Sequence, residues 1–210
     1  MNLGAAELPR RMRWAAVACV FLTGLCGLMA AWEGFSLLRF AELKQAAPTL
    51  TLAPDPALAP IIEQLRASQL VALEQMREPR LVVLFALAMA CSLSFVASAR
   101  LLRPAGLPRE GVRRILVWAL VGAAALRTID GAQYAVVARS AAEVIRRGMT
   151  VPKGYSAAAA EQLRALTAST ARGVFLLQTA VMVGALILLS QYFRSSGVKE
   201  WVARADAASL

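Results

Sequence analysis

The chain has 210 residues, of which 59% are hydrophobic and 17% charged, with a formal net charge of +10. That balance is too apolar for a water-soluble domain and reads as a membrane protein. Histidine is absent, which excludes histidine-ligated haem, histidine-containing zinc sites and histidine-based acid–base catalysis.

Residues 1–13 form a short basic terminus with Arg10, Arg11 and Arg13, and the uncharged run Trp14–Trp32 follows it. At 19 residues that run matches the ~20 needed to cross ~30 Å of hydrocarbon. It exceeds a signal-peptide core and lacks a clean small-x-small cleavage site, so it reads as a retained transmembrane helix over 14–32. Glu33 comes directly after it, close to the outer membrane edge.

The connection 33–79 is too long for a turn. Its "QAAPTLTLAPDPALAP" (45–60) holds four prolines and predicts an irregular, extended excursion. In "IIEQLRASQLVALEQMRE" (61–78) apolar residues recur at 3–4 spacing opposite Glu63, Arg66, Glu74 and Arg77, the pattern of an amphipathic helix running to Pro79. The second transmembrane helix is expected over 80–102, around the uncharged Leu81–Ala99, and a basic loop over 103–114.

The third span, 115–139, is interrupted only by Arg127 and Asp130. Counted from Arg114, these lie about 20 Å and about 24 Å along the helix, in the outer half of the hydrocarbon. A charge near the bilayer centre costs at least ~2.5–3.5 kcal/mol, so both should face protein. Three residues apart they share a helix face and can neutralise each other. The plainer reading is an ion pair that fixes helix packing. The functional one adds Glu33, giving two acids with Arg127 between them, a cluster able to respond to protons or ions or to line a pathway.

Residues 140–172 predict an outer helical hairpin: helix 3 continues to Gly148, and Ser156 caps a helix leading into the fourth span over 173–193. The tail 194–210 is basic. Cations number 11 in the 45 residues of the terminus, the 100–114 connection and the tail, against 9 in the 79 residues of 34–79 and 140–172. The denser set belongs in the cytoplasm, so both termini are expected inside, with a small extracytoplasmic helical cap and a bacterial inner membrane as the location.

"EQLRA" occurs at 63–67 and 161–165, each time in the outer helix entering the second span of a pair, and Glu33-Gly34 and Asp130-Gly131 stand at a similar offset. This suggests a tandem repeat of two helix hairpins about an axis along the membrane normal. Cys19, Cys26 and Cys91 all fall inside spans and read as small packing residues, as do Gly24 and Gly27. Ser92, Ser94, Ser98, Gln178 and Thr179 offer hydrogen bonds across the bundle or to their own helices, and Trp14, Trp32, Trp118, Tyr192 and Phe193 read as an interfacial belt.

The fold class is therefore all-α, a polytopic membrane protein with four transmembrane helices. No catalytic group, metal-ligand spacing or cofactor is implied, and an enzyme is not expected. The basic residues sit at helix ends without interleaved aromatics, which argues against nucleic acid. Expected partners are the lipid bilayer and either further copies of the chain or another membrane protein. Two functions stay open: a non-enzymatic assembly, sensing or interaction subunit of a membrane complex, and a small oligomeric ion- or proton-coupled transporter or channel using Arg127 and Asp130.

Overall fold

The computed structural model describes residues 8–45, 59–103, 109–148 and 157–207, and every regular element among them is an α-helix. In chain order these are α1 (Arg10–Leu38), α2 (Phe40–Gln45), α3 (Ala59–Gln75), α4 (Arg77–Leu102), α5 (Arg109–Gly148), α6 (Ala157–Arg194) and α7 (Ser196–Ala207). Four helices carry segments long and apolar enough to cross a membrane: Arg10–Leu38, Arg77–Leu102, Arg109–Val144 and Leu176–Arg194.

The helix boundaries have local causes. Pro9 precedes α1, where a missing N–H costs nothing, and its carbonyl accepts the Arg13 N–H at 3.0 Å. Pro79 is the third residue of α4, within the first turn whose N–H groups have no helical partner. Its ring would clash with the carbonyl four residues back, that of Gln75, and Gln75 is where α3 stops. The amphipathic helix expected over 61–78 therefore divides at Met76. Most of the proline segment 45–60, and Ser156, lie outside the described residues.

Neighbouring helices run antiparallel in a row, α1 against α4, α4 against α5 and α5 against α6. The register is visible in the close approaches. A Cβ on Gly27 would stand 2.9 Å from Cys91 Cβ, and one on Gly24 3.3 Å from the Phe95 ring, so two glycines let α1 and α4 meet without side chains between them. Cys19, Cys26 and Cys91 are buried in this seam as free thiols, in line with their expected packing role. Across α5 and α6, a Cβ on Gly131 would fall 2.5 Å from Thr179 Cγ2. Thr179 is β-branched and cannot readily swing away. Gly131→Ala should thus lower stability in detergent by about 1–3 kcal/mol through overpacking, and Thr179→Ser, which removes that methyl, should recover most of the loss. Denaturant midpoints of the three variants check this; unchanged stability in Gly131→Ala would refute the close contact.

The seams are filled in a 3–4 pattern. On α1, Met12, Ala16, Cys19, Thr23, Cys26, Ala30 and Leu37 are buried, and on α4, Leu84, Leu87, Cys91, Ser94, Ser98 and Leu101. Large apolar side chains on the other faces are exposed, among them Phe21, Leu25, Trp118 and Leu188, as befits helices surrounded by lipid. Trp14, Trp32 and Trp118 also point outward, but Phe193 does not join them. It is completely buried, packed edge-to-face on Tyr192 with ring centroids 5.5 Å apart, and is a core residue, not a belt residue.

The tail is more ordered than its sequence suggested. Val198 and Val202, one turn apart, are buried and dock α7 against α5 and α6. The Asp206 carboxylate then accepts the backbone N–H groups of Arg109 (2.9 Å) and Glu110 (3.0 Å), capping α5 from a helix 97 residues away in sequence. Beside it, buried Arg113 donates to the Phe193 carbonyl at 2.9 Å and to Glu110, tying the start of α5 to the end of α6. Helix α5 is 40 residues long, about 60 Å, twice the hydrocarbon thickness. The helix α3 packs mainly on α5.

Candidate functional site

The charged residues of the apolar region converge at the end of the bundle remote from the termini. Glu33 occupies the penultimate turn of α1, Arg80 the first turn of α4, and Arg127 and Asp130 the middle of α5. Helix α4 is fixed to α1 here by Arg77, whose Nε and Nη2 donate to the carbonyls of Leu37 and Leu38 at 3.1 and 3.3 Å, satisfying groups that the end of α1 leaves open.

One turn on, Arg80 reaches into the seam. Its side chain is 1% exposed. Nη2 donates to Glu33 Oε1 at 2.5 Å and stands 3.2 Å from Asp130 Oδ1, an ionic contact without hydrogen-bond geometry. Its guanidinium carbon also lies 5.1 Å from the centroid of the Tyr134 ring, within cation–π range. Arg127 Nη1 donates to the other Asp130 oxygen, as the three-residue spacing predicted.

The structure thus brings all three expected residues together, but in a different order. Arg127 does not stand between the two acids. That position belongs to Arg80, the first residue of the expected second span, which the sequence reading does not single out. Asp130 consequently has two cationic partners and belongs to a network shared by three helices, so the pair with Arg127 is not a closed local unit. Two carboxylates and two guanidinium groups leave the cluster formally neutral, which is what lets it persist where a single charge costs at least ~2.5–3.5 kcal/mol.

Exposure falls unevenly across the network. Asp130 is 3% exposed at its side chain, Arg127 18% and Glu33 38%. The exposed parts look into a cavity of about 1110 Å³ lined by α1, α4, α5 and α6. It exists because α1 and α6, at the two ends of the row, barely touch. Leu28 and Trp32 of α1 and Leu176 of α6 supply apolar walls, while the four charged residues and Tyr134 supply a polar one. Gln178 and Thr179 also line it, whereas Ser92, Ser94 and Ser98 bond carbonyls of their own helix and take no part. Several donors in the cluster have no hydrogen-bond acceptor: Nε and Nη1 of Arg80 and Nε of Arg127.

Fold and site define an all-helical bundle with four helices able to span a membrane and a charged network on the wall of a cleft between its terminal helices. No family model, curated protein or solved structure matches the chain.

Proposed function

We propose that the chain is a non-enzymatic multi-pass membrane protein, a sensing or interaction subunit of a membrane complex, which takes its partner molecule sideways from the bilayer through the cleft between α1 and α6. In this reading both termini face the cytoplasm of a bacterial inner membrane, the cleft opens in the outer half of the bilayer, and α3 contributes to an extracytoplasmic cap. Glu33-Gly34 and Asp130-Gly131, the corresponding positions of the two suggested hairpins, both reach Arg80, which favours a tandem origin.

The observation that carries the reading is the distribution of polar groups. The Glu33, Arg80, Arg127 and Asp130 cluster lies at one end of the bundle and opens onto its side. Toward the termini the seams are closed by fully buried Leu116, Leu120, Leu186 and Phe193. A transporter would need a polar route past these side chains, supplied by further protomers or a large opening.

Two measurements separate the readings. A photo-crosslinking residue at Leu176, on the cleft wall, should give a defined adduct in cells, and one at Leu188, exposed elsewhere on α6, should not. Vesicles holding the purified chain should keep a proton or ion gradient as long as empty vesicles do. Equal labelling at both positions refutes a selective cleft. A leak that disappears in the Arg127→Leu/Asp130→Leu variant establishes the transporter instead.

A further inference from the structure

The cleft has the makings of a lipid site. Its volume, about 1110 Å³, exceeds the ~300–1,000 Å³ of ordinary small-molecule pockets. Its walls divide by chemistry, apolar along Leu28, Trp32 and Leu176 and charged along Arg80, Arg127 and Asp130, as an amphiphile with one head and long chains requires.

The charge balance says which head. Arg139 also lines the cleft, so three arginines face two carboxylates and the lining carries one net positive charge. Both carboxylates already accept from arginines. Unpartnered donors outnumber unpartnered acceptors in the cluster, where Asp130 Oδ1 alone lacks a hydrogen bond. Arg80, 1% exposed, has Nε and Nη1 without hydrogen-bond partners, and Arg127 has Nε in the same condition. A cleft bearing one excess positive charge, with Arg127 partly open and Arg139 exposed on its wall, suits a singly charged phosphate diester.

We infer that the cleft between α1 and α6 binds a phospholipid of net charge −1, its phosphate held by the Arg127 and Arg139 guanidinium groups at the edge of the charged network and its acyl chains laid along Leu28, Trp32 and Leu176. The inference rests on the reading of the cleft as a lateral entry and names what enters. Such a lipid supplies acceptors where Arg127 is partly open and seals the gap between two helices that do not otherwise meet. Binding there pulls α1 and α6 toward a common ligand, so the spacing of the bundle responds to the lipid around it.

The test uses the full chain stripped of lipid in detergent and incubated with dioleoyl phosphatidylglycerol or dioleoyl phosphatidylcholine. Native mass spectrometry counts the adducts. One phosphatidylglycerol should be retained in roughly tenfold preference over phosphatidylcholine, about 1.4 kcal/mol. Arg139→Gln, an exposed position outside the ion-pair network, should bring the two lipids close to parity. Ala138→Trp, which fills the cleft without altering a charge, should remove the adduct while helical content and elution volume stay as in the parent. Equal retention of the two lipids, or a preference untouched by both variants, overturns the inference. So does displacement of the adduct by inorganic phosphate, which would mark a site for free anion. If the crosslink at Leu176 captures a protein and no lipid preference is found, the lateral cleft stands and the lipid does not; if Leu176 captures nothing, both fall.

Discussion

Arg80→Met is expected to be the most destabilising single substitution in the chain, by about 3–5 kcal/mol. Arg80 is 1% exposed and holds Glu33 and Asp130 at once. Methionine preserves the apolar stem and helix propensity, so packing and backbone effects stay small. What changes is electrostatic: two carboxylates are left with Arg127 alone, and one of them, Asp130, is 3% exposed. The cost should appear as a lower denaturant midpoint in detergent and a weaker yield from membranes. Glu33→Gln introduced into Arg80→Met returns the cluster to neutrality and should recover part of the loss, partial because Glu33 is 38% exposed and already half solvated. If Arg80→Met unfolds like the parent, or if Glu33→Gln deepens the damage, the network does not hold the helices as described.

That Arg80 carries so much was legible in the sequence, though not to a search for uncharged runs. Such a search finds hydrocarbon-spanning segments because the bilayer demands them, and it found the apolar parts of α1, α4, α5 and α6. It discards any flanking charge by construction, and Arg80 immediately precedes Leu81–Ala99. The alternation of three- and four-residue steps is the better guide. Arg80 continues the buried series Leu84, Leu87, Cys91, Ser94, Ser98 and Leu101 in register. Glu33 fills the same register in α1 between Ala30 and Leu37, and Arg127, Asp130 and Tyr134 fill it in α5 after Leu116, Leu120 and Ala123. A charge in a seam register faces protein; one outside it, like Arg39 with its side chain 59% exposed, faces the surroundings.

The parts that stayed hidden depend on partners distant in the chain. Nothing local in Asp206 announces that it caps α5, since the N–H groups it satisfies belong to Arg109 and Glu110. Val198 and Val202 do form a short amphipathic stripe with Trp201, but in a basic tail it is outweighed by Lys199, Glu200 and Arg204. The cleft was beyond sequence reading for a related reason. It is set by how little α1 meets α6, and no residue encodes a contact that is not made.

The second large effect follows from Asp130 having two cations. Asp130→Asn leaves Arg80 and Arg127 facing Glu33 alone, an excess positive charge at 3% exposure, and should cost about 3 kcal/mol. Arg127→Leu leaves the opposite excess and should cost less, because Arg127 is 18% exposed and borders the cleft. Removing both, as Arg127→Leu with Asp130→Asn, leaves the Glu33–Arg80 pair intact and the cluster neutral. The double variant should therefore be more stable than the sum of the singles by about 0.5–3 kcal/mol, the coupling expected of groups within one network. Chemical denaturation of the four proteins measures that coupling. Additive costs would mean that Arg127 and Asp130 act independently and that the contact between them contributes nothing to folding. A large coupling, with lipid retention lost in Arg127→Leu but kept in Asp130→Asn, would instead divide the network by role: Asp130 and Arg80 hold the helices, while Arg127 is the member turned toward the cleft.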